Sequence, residues 1–292
     1  MVGKRLLRWM ICAALTQGAS AAWAVDIIPG QGMPPPAGMN SFMISLGHAQ
    51  SGDKYVDDRK LGLNTRVNSD TVTLRYTRSF ALADNPAAFY IQPAFGRASP
   101  TGSLATLDAE TGLRDTTAAV AIWPYVDHES RRWFGMAAYL ILPTGEYDSR
   151  RLINLGQNRS SMALQAAFQT PLGGSLEAMI ATDVHWFGEN DDYRLTHQKS
   201  QQRPLYSQQL TLMYNFDAAT MLAASYILQT GAMELLDSVP QNNRSQRNRY
   251  QLAAIKRTAV GNFIVQYGQD LSIDQGTKEN HQLWLRHQIV WR

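Results

Sequence analysis

The sequence has 292 residues, with 27 Lys and Arg against 24 Asp and Glu, a formal net charge of +3 and a pI near 9.0. The surplus is confined to Lys4, Arg5 and Arg8, all of which precede the first acidic residue, Asp26; without those three, 24 basic groups face 24 acidic ones. A protein that binds a phosphate backbone needs a sustained excess of cations, so this balance excludes nucleic acid as a partner.

Residues 1–24 begin with those three cations, continue with an apolar stretch from Trp9 to Leu15 and end in small residues at Ala22-Trp23-Ala24. This is the layout of a secretory signal peptide with an A-x-A cleavage site, and the apolar part is shorter than the ~20 residues a membrane helix requires. The only cysteine, Cys12, lies within it. The exported chain is therefore expected to have no disulfide, no zinc–thiolate site and no cysteine nucleophile.

Residues 25–40 contain Pro34-Pro35-Pro36 and several glycines, a composition that predicts an extended, mobile periplasmic arm in preference to a segment tucked into the rest of the protein. The remainder, 41–292, shows no run of 18 apolar residues and no sustained 3.6-residue period, but repeated period-2 alternation. In Thr71 to Phe80 the apolar face is Val72, Leu74, Tyr76 and Phe80, and the other face is Thr71, Thr73, Arg75 and Thr77. Ser175 to Trp186 sets Leu176, Ala178, Ile180, Val184 and Trp186 against Glu177, Met179, Asp183 and His185. Ser207 to Phe216 and Asn262 to Asp270 follow the same rule.

Twelve such runs are centred near residues 45, 75, 92, 120, 138, 165, 181, 211, 225, 253, 267 and 287. Short links, as at 127–131, 171–175, 217–220 and 258–262, are interleaved with long polar ones near 51–60, 100–114, 144–160, 188–204 and 231–248. Short turns at one end and long loops at the other predict an all-β fold: a transmembrane antiparallel up-and-down β-barrel of about 12 strands, of the Gram-negative outer-membrane type. A soluble β-sandwich also alternates, but nothing requires its loops to sort by length. Phe80, Phe89, Trp123, Tyr125, Trp133, Trp186, Tyr206, Phe216 and Trp291 fall near strand ends, as interfacial girdles require. Arg78, Lys256 and His287 break the apolar faces and are expected at the membrane edges.

At Leu142-Pro143-Thr144-Gly145-Glu146-Tyr147-Asp148, followed by Ile153-Asn154-Leu155-Gly156-Gln157-Asn158, the chain resembles the outer-membrane family involved in the meta-pathway of phenol degradation. The likeness extends from about Asn40 to the C-terminus. It implies a twelve-stranded channel for small hydrophobic or aromatic compounds, with no catalytic motif to carry over. The chain departs from the common pattern in placing Arg292 after Trp291, where many outer-membrane proteins end on an aromatic residue for the assembly machinery.

In a barrel the polar faces line the lumen. Arg75, Glu177, Asp183, His185, Arg257, Asp270 and Arg286 are thus the candidate pore-lining groups that set charge selectivity, with interior charge packing as the alternative. Asp148, Arg150 and Arg151 open a long loop and are candidates for a gate over the mouth. His128 and Ser130 are two apart, as in outer-membrane phospholipases, but fall in a short turn. Glu189, Asp191 and Asp192 offer oxygen ligands for Ca²⁺, and Arg244, Arg247 and Arg249 could meet lipopolysaccharide phosphates. The expected function is diffusion of small, hydrophobic or aromatic molecules through an outer-membrane channel, without cofactor or metal. Its expected partners are outer-membrane lipids and lipopolysaccharide, a small hydrophobic solute and the assembly machinery. The alternatives are an outer-membrane hydrolase and a non-conducting structural barrel.

Overall fold

The computed structural model describes residues 25–292; the segment read as a signal peptide lies outside the described residues. The strands are β1 (Asn40–Val56), β2 (Arg59–Lys60), β3 (Thr65–Leu82), β4 (Asn85–Gly102), β5 (Glu110–Asp127), β6 (Arg132–Leu142), β7 (Ser161–Gly173), β8 (Leu176–Phe187), β9 (Asn190–Tyr193), β10 (Gln198–Gln202), β11 (Leu205–Asn215), β12 (Thr220–Gly231), β13 (Glu234–Leu236), β14 (Val239–Pro240), β15 (Ser245–Thr258), β16 (Gly261–Ile273) and β17 (Gly276–Trp291). All but β9, β10, β13 and β14 belong to one antiparallel sheet; its twelve long strands follow chain order, the two-residue β2 only extends the end of β1, and β17 pairs with β1, from Asn40 opposite Trp291 to Tyr55 opposite Gly276. The sheet is a closed twelve-stranded barrel. Closure leaves no free edge, the condition a bilayer imposes on any β-structure that crosses it.

The twelve alternating runs become these twelve strands, with the apolar face outward. Val72, Leu74 and Tyr76 on β3, and Leu210, Leu212 and Tyr214 on β11, are exposed on the outer wall, while Thr73, Ser207, Gln209 and Thr211 are buried inside. Arg78, Lys256 and His287 lie outward at the short-turn ends of their strands and bond to Asn40, Thr220 and the Val260 carbonyl. At the opposite end, β9, β10, β13 and β14 form a small separate sheet.

Three features depart from the sequence reading. First, β1, β3, β4 and β5 have 17 or 18 residues, against 11 to 14 for β6 and for the barrel strands from β7 through β16. Much of 51–60 and 100–114 is therefore strand that rises above the apolar belt, where no greasy face marks it. Second, β16 and β17 are joined at the long-loop end through only Asp274 and Gln275. Third, Trp123 and Trp133 are not girdle residues. Trp123 continues the inward face of Ala119 and Ala121, the register shift between Ile122 and Tyr125 turns Tyr125 outward beyond it, and the Trp123 and Trp133 indoles are buried together in the lumen. Gly135 makes the room, since a Cβ there would stand 2.8 Å from the Trp123 Nε1.

Candidate functional site

The lumen is filled from its short-turn end by residues 25–39, so the expectation of a mobile arm is corrected. Ser79 fixes the rim: its Oγ donates to the Pro36 carbonyl at 2.5 Å, and the Met39 N–H donates to that Oγ at 2.9 Å. The three prolines carry no N–H, so the chain crosses the rim without burying unmet donors. Further in, the Trp123 Nε1–H donates to the Gly32 carbonyl at 2.8 Å, and the Arg75 guanidinium donates to Gln31 Oε1 at 3.4 Å. The Gln209 side chain pairs with both main-chain groups of Ile27, accepting from its N–H at 3.0 Å and donating to its carbonyl at 2.9 Å. Asp26 accepts from Arg249 and, at 3.1 Å, from Gln251. Gln165 Nε2 donates to the Val25 carbonyl at 2.5 Å. Buried backbone polar groups require partners, and these come from β3, β5, β7 and β11 of the inner wall, while β15 holds the Asp26 side chain.

The arm also covers apolar surface. Ile28 is 6 % exposed and packs on a wall made of Met43, Met179, Met213, Met221, Ala223, Ala253, Ile255 and Ile264. Register aligns most of this wall: Met213 is opposite Ala223, Met221 opposite Ile255, and Ile255 opposite Ile264. Burial of one such isoleucine stabilises the seated arm by about 1.5–3 kcal/mol. Met is unbranched and polarisable and fits varied apolar shapes. The sequence reading overlooked this wall, although its signal is present: Met179 interrupts Glu177 and Asp183, and Ile264 interrupts Asn262 and Gln266.

The candidate pore-lining residues all lie on inward-facing strand positions, distributed in three groups. Near the short-turn end, Glu177 bonds to Arg131, Gln169 and Asn215, while Arg257 donates to the Ala218 carbonyl at 3.2 Å and lies beside Gly30 of the arm. Deeper in, Arg75 donates to Gln92 at 2.6 Å and covers the Tyr90 ring at 4.4 Å. Arg286 donates to Gln266 at 2.6 Å, and Asp183 faces Val25, Gln165 and Ser207. Higher still, His185 meets Ser161 at 2.8 Å and stacks on Phe187. There Asp270 accepts from the Glu279 N–H at 2.7 Å and pairs with Arg247 at 3.6 Å. Arg247 and Arg249 are thus interior residues, which corrects their assignment to lipopolysaccharide contact; only Arg244 of that trio is exposed.

From the other end, the loop at 143–160 folds into the mouth. The two carboxylate oxygens of Asp115 on β5 accept from the N–H of Gly145 at 3.0 Å and of Gln157 at 2.9 Å, and so clasp both limbs of the loop. Gly145 and Gly156 touch backbone to backbone: a Cβ on Gly145 would stand 2.6 Å from the Gly156 Cα. Ile153 and Leu155 are buried against Ala98 on the inner wall. The gate candidates hold this cap together. Arg151 pairs with Glu110 at 2.6 Å, and Asp148 pairs with Arg150 at 2.8 Å while its N–H donates to Asn154. The Arg150 side chain and main-chain N–H keep the partly buried Asp148 carboxyl well below the usual carboxylate range.

The other candidate constellations do not assemble. Ser130 donates to Asp127 rather than meeting His128, whose ring lies against Trp133. Glu189 pairs with Lys199 at 2.9 Å and Asp192 with His197, bonds that hold both carboxyls below their ordinary pKa. Among the described residues no three His, Cys, Asp or Glu side chains converge to hold a metal ion.

Residues 48–286 match the model of the family described as "Putative MetA-pathway of phenol degradation". The chain belongs to this family. An outer-membrane channel from Pseudomonas putida F1 has a similar structure, with a TM-score of 0.87 and 28% identity over 91% of this chain and 100% of that one. Two autotransporter barrels share the fold alone. The β domain of Bordetella BrkA has a TM-score of 0.50 and 10% identity over 87% of this chain and 100% of its own. The translocator domain of NalP from Neisseria meningitidis has a TM-score of 0.50 and 12% identity over 88% and 89% of the two chains. No curated protein matches the sequence. The family and the closed, outwardly apolar barrel make this a Gram-negative outer-membrane protein, with the short turns facing the periplasm.

Proposed function

We infer that the chain is an outer-membrane channel for small hydrophobic molecules, and that conduction requires the arm to leave the methionine wall it covers. The seat of Ile28 carries this reading: an apolar strip inside the barrel, held by a removable segment, is the surface a hydrophobic solute needs. The charged groups around it, Arg75, Asp183, Asp270 and Arg286 among them, border this wall with polar surface, so that an apolar solute is guided to the greasy side. Loop 143–160, with Asp148, Arg150 and Arg151, forms the outer lid. The apolar belt contacts membrane lipid, the long-loop rim meets lipopolysaccharide, and the last strand with Trp291 serves as the signal to the assembly machinery.

The test uses an asymmetric bilayer with a lipopolysaccharide outer leaflet, which hydrophobic compounds cross slowly, and the fluorescent probe N-phenyl-1-naphthylamine. The full chain is expected to speed probe entry several-fold over protein-free membranes. Met213→Gln, which places an amide on the wall, is expected to lose most of that gain without losing ion conductance. Equal entry through both proteins, or no gain with either, contradicts the reading.

A further inference from the structure

Asp183 is an inward-facing carboxylate, 4 % exposed, whose Oδ1 has no hydrogen-bond partner among the described residues. It faces the main-chain N–H of Val25, with Gln165 and Ser207 beside it. The nearby charge that acts on it is the like charge of Asp26, while Asp26 itself is matched by Arg249 and Gln251. A buried carboxylate without a cation is costly unless charge or hydrogen bonds compensate it. Among the described residues no cation is paired with Asp183, and its carboxylate lies against Val25, the residue that follows Ala22-Trp23-Ala24.

We propose that Asp183, with Gln165, forms a receptor site for the α-ammonium group that cleavage after Ala24 creates on Val25. Hydrolysis of the Ala24–Val25 peptide bond adds one water: the C–N bond breaks, Ala24 takes the carboxylate, and Val25 keeps the nitrogen. That α-amine has a pKa of about 7.7–8.0 in water, and beside an anion it stays protonated. A single amide N–H becomes three N–H donors and a positive charge, which satisfies the open Oδ1 and separates Asp183 from Asp26. Gln165 is already turned toward the end of the arm, since it accepts from the Tyr139 hydroxyl at 2.7 Å and donates to the Val25 carbonyl. Export processing is then what locks the plug, because an uncut or longer chain cannot place a charge there. The proposal rests on the arm lying in the lumen but not on which solute passes, so its failure leaves the channel reading intact.

The experiment starts with intact-mass and N-terminal sequencing of protein extracted from outer membranes, which are expected to show a chain beginning at Val25. Acylation of the α-amine by a charged N-hydroxysuccinimide ester is then compared in the folded wild type and Asp183→Asn; an isosteric change of this kind spares the packing. The wild-type amine is expected to react at least ~10-fold more slowly, the ratio that about 1.4 kcal/mol of protection gives. In a second arm, Gly-Ser is inserted between Ala24 and Val25, a change that touches no barrel residue, and an Ile28→Cys reporter is labelled with a charged thiol reagent. The insertion and Asp183→Asn are each expected to raise labelling by a similar factor, and together by no more than either alone. A mature chain that begins elsewhere, equal acylation of the two amines, or unchanged labelling of the extended chain overturns the proposal.

Discussion

Deletion of residues 25–38 should raise single-channel ion conductance roughly tenfold or more over the full chain, since twelve strands lie between the ~8 that side chains can fill and the ~16 of open porins. The barrel itself should survive. Its twelve strands close on one another through main-chain hydrogen bonds that do not involve the arm, and the deletion leaves Met39 to follow the leader. What changes is the interior: Gln209, Trp123 and Gln165 lose main-chain partners, and the methionine wall loses Ile28. Water replaces the polar contacts at little cost, but it cannot replace the apolar one. The emptied barrel should therefore also take up hydrophobic amphiphiles, detergent included, more readily than the full chain. Planar-bilayer recordings of the two proteins, at equal salt, check the conductance. Equal conductance would mean that the arm is not the limiting constriction.

The second large effect is at the outer mouth. Gly145→Ala places a methyl group 2.6 Å from the Gly156 Cα and 2.9 Å from the Asp115 nitrogen. Both neighbours are backbone, so neither can rotate away, and overpacking of this kind costs about 1–3 kcal/mol. The limbs of the loop must part, which weakens the clasp by Asp115 and exposes Ile153 and Leu155. Trypsin should then cut after Arg150 or Arg151 roughly tenfold faster in the variant, because each 1.4 kcal/mol of loop opening is a factor of ten in the exposed population. Unchanged cleavage, with the barrel intact by its heat-dependent migration in SDS gels, would show that the two glycines do not hold the cap.

The wall of the barrel was legible in the sequence because a period of two, with one greasy face, has few other physical causes. Val72, Leu74 and Tyr76 report lipid, and Thr73 and Arg75 report the lumen, without reference to any neighbour. Three other features depend on what lies across the lumen. Met43, Met179, Met213 and Met221 are single breaks in separate polar faces, and only the folded lumen gathers them into one cluster with Ile28. Trp123 and Tyr125 look like a girdle pair on one face, but the irregularity between them leaves Trp123 inward with Ala119 and turns only Tyr125 outward. The arm reads as loose because its prolines and glycines cannot form a strand or helix, yet its partners, Gln165, Gln209 and Arg249, lie some 140 to 223 positions away in the chain. The motif from Leu142 to Asn158 pointed to the right family and the right loop. Its chemistry, two glycines in contact and a carboxylate on β5 that clasps both limbs, shows only when the loop is folded into the mouth.

A disulfide tether tests most directly whether the arm must leave for solute to pass. A Cβ built on Gly32 lies 3.4 Å from the Gln169 Cβ on β7, close to the ~3.8 Å mean of disulfides, and residues 25–292 contain no cysteine to compete. In the Gly32→Cys, Gln169→Cys protein, entry of the naphthylamine probe across the lipopolysaccharide-faced bilayer should fall to the protein-free rate when oxidised and return when reduced. Probe entry that is the same with the tether closed and open would contradict a route through the space the arm fills.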